Sequence, residues 1–310
     1  AGTQATFAGA EMMAAEQTPA VGGELRNHEP MSRHSSWRAG GPAELFFQPE
    51  SLEGLSQFLR SQSSNVPIFW IGQGSNLLVR DGGLPGVVIS ATGVFTALEK
   101  TAEYVVCAGA SIPCTQLARQ CIRWGLGPSE FFAGIPGLLG GALAMNAGAH
   151  GSETWERVRT VTTIDRFGEV RKRLPEEYEI AYRSVRGPED EWFIEAELQF
   201  EPGVAASMDI LKEMLERRKE TQPLGMPSCG SVFRNPPGDH AARLIEACGL
   251  KGCRIGEAEV SEKHANFIIN LGEASALDIE NLIRHVQQTV ADQTGIELIP
   301  EVRIVGEALQ

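Results

Sequence analysis

A chain of 310 residues is long enough for about two domains, each burying its own core, which excludes a disulfide-stapled miniprotein. Apolar residues make up 42% and charged residues 22%, the balance of an ordinary globular protein and not of a disordered or polytopic membrane chain. With 27 basic and 40 acidic side chains the net charge is −13, the wrong sign for holding nucleic acid through a global field.

The opening AGTQATFAGAE before Met12 reads as a cloning remnant, so residues 1–24 are set aside as remnant and flexible N-terminus. No Lys or Arg precedes Arg26, so no signal peptide is expected and the expected compartment is the cytoplasm. Short apolar runs closed by glycine or proline, Pro67 to Ile71, Val87 to Ser90 and Tyr104 to Ala108, read as strands. Pro113 to Trp124 reads as a helix with proline in its first turn and Leu117, Cys121 and Trp124 on one side. Phe131 to Ala149 carries no charge and contains a GxxxG pair, Gly137 and Gly141. Its glycines, Pro136, Asn146 and acidic flanks point to a buried glycine-built loop and short helix, not a membrane span. Val158 to Arg173 resembles a hairpin turning at Phe167-Gly168, and Trp192 to Phe200 alternates with the period of a half-buried strand, Trp192, Ile194, Ala196, Leu198 and Phe200 inward.

The pattern changes after Pro202-Gly203, where a domain boundary is expected. A helix from about Ala206 to Glu220 would turn Ile210, Leu211, Met214 and Leu215 inward. A strand around Ser231 to Phe233, a helix from Asp239 to Cys248 stopped by Gly249, and a strand from Ala265 to Leu271 come next. The last helix opens with a capping box, Ser275 and Asp278, and stops at Gly295. A final strand, Ile296 to Val305, contains Pro300, which should end or bulge its pairing. The whole is an α+β chain divided at 25–205, 206–300 and 301–310. Six cysteines without a CxxC pair read as reduced thiols, and no metal site is expected.

Thirty-four glycines exceed the usual ~7%, and two clusters stand out. Gly72-Gln73-Gly74-Ser75-Asn76-Leu77 follows a strand. Its glycines free backbone N–H groups to converge on an anion, and Ser75 and Asn76 add side-chain donors, as a pyrophosphate nest requires. An ordinary glycine turn would look the same. A Rossmann fingerprint wants glycine where Leu77 stands, and a P-loop wants GK[ST]. The second cluster, Gly134-Ile135-Pro136-Gly137 through Gly140, Gly141, Asn146, Gly148 and Ala149, suits a flat ring and a diphosphate lying against backbone, with Asn146 its one directional polar group; its bland alternative is tight packing of two elements.

The ordered motifs IGQGSNLL, AGIPGLLGGALAMNAGAHG, AYRSV, PSCGSVFRNP and IPEVRIVG resemble the bacterial MurB family, the UDP-N-acetylenolpyruvoylglucosamine reductases of peptidoglycan synthesis. The resemblance covers about Asn27 to Gly306. It implies an FAD-binding domain of the vanillyl-alcohol oxidase (PCMH) type at 25–205 and a smaller α+β substrate-binding domain at 206–300, with the last strand returning to the FAD domain. The spacing from Tyr182 to Ser231 resembles the shorter, type II members. FAD would be bound non-covalently by Gly72, Gly74, Ser75, Asn76, Leu77, Gly134, Ile135, Pro136, Gly137, Gly140, Gly141, Asn146, Gly148 and Ala149, with NADPH as hydride donor.

By the same resemblance, hydride reaches the terminal vinyl carbon of an enolpyruvyl ether and leaves an enolate that needs cationic donors and an acid. Arg183 matches the position holding the carboxylate and enolate, Ser231 the proton donor to the α-carbon, and Glu301 a second acid or orienting group. The substrate, a nucleotide-sugar diphosphate, needs a local basic patch. Residues 212 to 264 carry nine Lys or Arg against eight Asp or Glu, and Tyr182, Arg234, Asn235, Arg243, Arg254, Lys263 and His264 are the expected contacts. The family expectation is a monomer without nucleic acid or membrane partner. Two rival readings remain: another oxidase of the same flavoprotein superfamily, whose members often tether FAD through a histidine that the first loop lacks, and a non-enzymatic nucleotide-sugar sensor, which would have lost part of the Arg183, Ser231 and Glu301 set.

Overall fold

The computed structural model describes residues 17–20 and 22–309. The AGTQATFAGAE segment lies outside them. Gln17–Ala20, set aside with it, is an edge strand paired antiparallel with Gly23–Pro30 through main-chain bonds that need no apolar pattern.

These two strands begin a five-stranded sheet that continues through Pro42–Pro49, Leu84–Ser90 and Ile68–Ile71, with the last two pairings parallel. Strands that run parallel in one sheet need a crossover, and helix α1 (Leu52–Ser61) carries the chain from Pro42–Pro49 to Ile68–Ile71, on the far side of Leu84–Ser90. Ser51 caps α1 by accepting from the Gly54 N–H at 3.1 Å, and Leu55, Phe58 and Leu59 bury against Phe47, Val87 and Ile89.

The middle sheet runs Val170–Arg173, Val158–Asp165, Glu191–Gln199, Val105–Gly109, Leu98–Ala102 and is antiparallel throughout. The hairpin expected at Phe167-Gly168 forms. In the alternating strand Glu191–Gln199, burial follows the expected period but the packing partner changes part-way. Thr162 pairs with Glu195 and Thr163 with Phe193, so Ile194 is the extra residue of a bulge. Trp192 and Ile194 therefore join the core under α1, whereas Ala196, Leu198 and Phe200 join a second core with helix α2 (Cys114–Arg123) and helix α3 (Leu139–Met145). That switch welds the first two sheets together. Pro113 occupies the N-cap of α2 and not its first turn.

Helix α4 (Met208–Thr221) rests Leu211 and Leu215 on this second core, while Ile210, expected inward, is 45% exposed because a single stripe of the helix touches protein. The remaining chain builds a third core from helix α5 (Ala241–Ala247), helix α6 (Ala276–Thr294) and a small sheet of Arg254–Ile255, Ala258–Val260 and Ile268–Asn270. The capping box Ser275/Asp278 and the left-handed Gly295 bound α6 where local sequence placed them. Two expected strands shrink. Ser231 to Phe233 makes only the Phe233–Pro300 bridge, and the terminal strand is Arg303–Val305, since Pro300 has no N–H to continue a ladder.

That terminal strand pairs in parallel with Leu77–Val79, so the chain ends beside the first glycine loop. Trp37, Ala39 and Leu78 of the first unit are members of the third core. Arg80 forks onto buried Glu280 at 2.9 and 3.0 Å, and the Asp81 carboxylate accepts from the Ala276 and Leu277 N–H groups at the start of α6, each at 2.9 Å. The six cysteines are free. Among the described residues no helix is long and apolar enough to cross a membrane.

Candidate active site

Two adjoining cavities lie where the three units meet. One, of about 420 Å³, sits between the first two sheets and is lined by Ile68, Trp70, Phe95, Tyr178, Trp192 and Phe193, with Trp70 and Trp192 stacked at 5.5 Å. The other, of about 370 Å³, opens toward the third unit and is lined by both glycine loops together with Tyr182, Arg183, Ser231, Asn235 and Glu301. Gly72, Leu77, Leu138, Gly141 and Arg303 belong to both walls.

The glycines there serve two purposes. Gly74 has φ +60°, and a Cβ on it would lie 2.0 Å from the His34 carbonyl oxygen, so this glycine exists for the 34–36 segment that braces the loop, not for a ligand. Gly134, Gly137, Gly140 and Gly148 likewise face protein atoms at 2.6, 2.7, 3.1 and 2.3 Å. Gly72 and Gly141 differ: no atom is closer than 3.5 Å to a Cβ at Gly72, none lies within 4 Å at Gly141, and both line both cavities. The side chains expected to donate outward are used internally. Ser75 Oγ donates to the Pro136 carbonyl at 3.5 Å, and Asn76 Nδ2 to the Glu301 carbonyl at 3.1 Å. Leu77 opens the strand that pairs with Arg303, and Ile135, Pro136 and Ala149 complete the wall.

Arg183 sits at the turn of the hairpin formed by Glu179–Ala181 and Ser184–Arg186, with φ +53°. Its Nε donates to Glu301 Oε1 at 3.1 Å and its Nη2 to the Gly148 carbonyl at 2.8 Å, and the Tyr182 ring lies 4.8 Å from the guanidinium. Arg234 Nη2 donates to the Arg183 carbonyl at 3.1 Å, while its buried Nε has no partner. Burial pushes the Glu301 carboxyl above its ordinary range against the opposing pull of Arg183 and Arg234. Ser231 is held without a strand. Asn266 accepts from the Phe233 N–H at 2.9 Å, donates to its carbonyl at 2.8 Å, and its own carbonyl takes the Val232 N–H at 2.9 Å. Ser231 is thereby held in the cavity wall.

A family model described as the C-terminal domain of UDP-N-acetylenolpyruvoylglucosamine reductase matches residues 222–305, and an FAD-binding domain model matches residues 43–173. The UDP-N-acetylenolpyruvoylglucosamine reductase of Alkalilimnicola ehrlichii is 59% identical over 298 residues, covering 96% of this chain and 99% of the relative.

The chain belongs to the UDP-N-acetylenolpyruvoylglucosamine reductase (MurB) family.

The enzyme of that name from Methylococcus capsulatus is 56% identical over 92% of this chain and 94% of its own. The crystal structure of the Thermus caldophilus MurB superposes with a TM-score of 0.76 at 30% identity, covering 94% of this chain and 99% of that one. As a member of the family the protein is an FAD-containing oxidoreductase. Its residues fit that cofactor: a side chain at Gly141 would meet no atom within 4 Å and one at Gly72 none closer than 3.5 Å, aromatic side chains line one cavity, and arginines line the other, with Arg303 shared by both.

Several residues singled out from sequence lie elsewhere. Asn146 is 1% exposed and turns away from the cavity, donating to Glu153 Oε2 at 2.7 Å and the Ala181 carbonyl at 3.2 Å and accepting from the Trp155 N–H at 3.1 Å. Arg243 pairs with Asp239 one helical turn away, Arg254 pairs across strands with Glu259, and Lys263 donates to the Lys219 carbonyl at 2.6 Å; none lines either cavity. His264 also lies off the walls, its Nδ1 accepting from the Asn266 N–H, and burial pushes its pKa down so that the neutral ring persists. Asn235 does line the wall, though its Oδ1 is occupied by the Ala241 N–H at 3.1 Å.

Two wall arginines, Arg218 and Arg303, escape a reading of the sequence. Among the described residues Arg218 has only uncharged partners, Gln222 Oε1 at 2.9 Å and the Ala133 carbonyl at 3.4 Å, and burial lowers its pKa. A desolvated guanidinium without a carboxylate is suited to an anionic ligand. Arg303 stands two residues from Glu301, a spacing that suggests a surface ion pair on one face of an extended chain, yet it is Arg183 that takes the Glu301 carboxylate.

Proposed function

We propose that this cleft reduces UDP-N-acetylglucosamine enolpyruvate to UDP-N-acetylmuramate for peptidoglycan synthesis, with Arg183, Ser231 and Glu301 acting on the enolpyruvyl group. The chemistry that FAD supplies when bound is hydride relay, from NADPH to the terminal vinyl carbon of the substrate. The observation that carries the assignment of roles is the Arg183–Glu301 contact at 3.1 Å in the same wall as Ser231.

Arg183 offers its planar donors to the substrate carboxylate and to the negative charge that spreads onto it from the α-carbon. Ser231 Oγ gives its proton to that carbon, a role open to a weak acid because the developing carbanion is strongly basic. Glu301, whose carboxyl burial favours in the protonated form, supplies a hydrogen bond to the enolate oxygens or returns a proton to the serine. Arg218 and Arg303 would receive phosphate charge from cofactor or substrate, which replaces the expected reliance on Arg243, Arg254 and Lys263. We take the working unit to be a monomer and, since the substrate is a nucleotide-sugar precursor, the compartment to be the cytoplasm.

The loop Gly72 to Leu77 offers no histidine for a covalent tether, which separates this reading from the oxidase alternative. Anaerobic NADPH should bleach the yellow protein, the enolpyruvyl substrate should restore the colour, and acid precipitation should leave a white pellet. Anaerobic bleaching by simple alcohols or hydroxy acids in place of NADPH, failure of the enolpyruvyl substrate to restore the colour, or a yellow washed pellet, would sink the respective part of the proposal.

A further inference from the structure

Arg183 is held on two sides by groups of different kinds. Its Nε faces Glu301. Its far edge is taken by main-chain carbonyls, Nη1 to Asn146 at 3.3 Å and Nη2 to Gly148 at 2.8 Å, and by the Glu153 carboxylate, whose Oε1 lies 4.0 Å from Nη1. Both carbonyls and the carboxylate belong to one small structure. Gly148–Ala149 and Ser152–Glu153 form a two-stranded hairpin immediately after α3, and Asn146 is the left-handed C-cap of that helix, with φ +43°.

The side chain of Asn146 ties the pieces together. Its amide nitrogen fixes Glu153 Oε2 at 2.7 Å and reaches the Ala181 carbonyl, two residues before Arg183, at 3.2 Å. Its amide oxygen takes the Trp155 N–H. One buried amide therefore sets the position of the carboxylate beside Arg183 and the start of the turn that carries Arg183. With Nε on Glu301 and one N–H of each Nη on a carbonyl, three of the five guanidinium donors are committed, and partners at both ends fix the direction of the two that remain.

We infer that Glu153, set by Asn146, is a positioning residue that orients Arg183 toward the carboxylate of the substrate. This rests on the carboxylate-binding role proposed for Arg183. Arg183 sits in a left-handed turn beside the exposed Tyr182 ring, so its aim depends on its polar partners: Glu301 fixes one end of the guanidinium, and the two carbonyls with Glu153 fix the other. The role is not a catalytic one: Glu153 lies 4.0 Å from Arg183 and lines neither cavity.

The test compares two ligands in the flavin-loaded enzyme, the product UDP-N-acetylmuramate, which bears the carboxylate, and UDP-N-acetylglucosamine, which does not. Glu153→Gln, a side chain 30% exposed and of nearly equal volume, should fold and retain flavin. It should weaken the carboxylate-bearing ligand about tenfold, the low end for a charge-assisted hydrogen bond, and leave UDP-N-acetylglucosamine and NADPH-dependent bleaching within about twofold. Asn146→Ala should give the same selective loss, with a lowered Tm because it also removes the helix cap. Equal weakening of both ligands, or no weakening of either, would overturn the positioning role. Arg183→Lys separates the underlying reading: if it too leaves the preference for the carboxylate-bearing ligand intact, the role given to Arg183 fails, whereas loss in Arg183→Lys with none in Glu153→Gln refutes the orienting contact alone.

Discussion

Gly141→Leu should abolish flavin binding while leaving the apoprotein at least as stable as wild type. Gly141 lies inside α3, outside the left-handed region, and a Cβ there meets no atom within 4 Å because it points into the space shared by the two cavities. The helix itself should gain. Glycine costs about 0.8–1.0 kcal/mol in a helix interior relative to alanine, and leucine ranks beside alanine. With ~2–4 °C of Tm per kcal/mol for domains of 150–250 residues, the apoprotein should melt between 0 and ~4 °C higher. The cofactor must then compete with a branched side chain for the same volume, and a loss of at least ~100-fold in affinity is expected, about 2.7 kcal/mol. Wild type held at FAD equal to 100 Kd gains that same ~2.7 kcal/mol from the ligand, and the variant should gain almost none. Gly74 is the control. Its side chain would collide with the His34 carbonyl at 2.0 Å and the Ser35 Cα at 2.8 Å from a left-handed backbone, so Gly74→Ala should lower the Tm of the apoprotein itself. Thermal melts of apoprotein with and without FAD, beside fluorescence titration of FAD, read both effects. FAD binding by Gly141→Leu at the wild-type Kd would refute the placement of the cofactor, and a marked fall in its apoprotein Tm would refute the open space.

Ser231→Ala should leave anaerobic bleaching by NADPH within a few-fold of wild type while slowing recovery of the flavin by the enolpyruvyl substrate at least ~10²-fold; equal losses in the two stopped-flow phases would make Ser231 a structural residue of the cleft. Because both substrates must use one cleft, steady-state kinetics should be ping-pong, and intersecting double-reciprocal plots would contradict shared occupancy. Glu301→Gln should retain flavin and lose ~10²-fold or more in turnover. Burial raises the folded pKa of Glu301 above its ordinary 4.5, so its ionisation carries a stability cost that is absent below that value and grows until pH passes the folded pKa. The Tm of Glu301→Gln should therefore improve relative to wild type as pH rises from about 4.5 through the raised folded pKa, and a flat or opposite trend would show that the Arg183 and Arg234 charges outweigh burial.

The sequence by itself determined what depends on neighbours along the chain. Ser275, Asp278 and Gly295 bound α6 because capping and the left-handed stop are satisfied within one or two turns. The glycine density pointed to two loops that line the same cavity, and the order of motifs pointed to the family. Tertiary structure decided where each polar group finds its partner. Arg183 and Glu301 are 118 residues apart and meet at 3.1 Å, and Asn76 is committed to the carbonyl of Glu301 across 225 residues. Asn146 has the sequence context of a directional donor in the second loop, but Glu153, Ala181 and Trp155 claim it, while Arg218, which reaches the wall beside Arg183 and Arg303, lies in a helix whose charge pattern resembles any solvated face. A residue type fixes what hydrogen bonds a side chain can make. Which of them it makes depends on which segments the cores bring within about 3 Å, and burial then forbids it to keep more than those partners or to go without them.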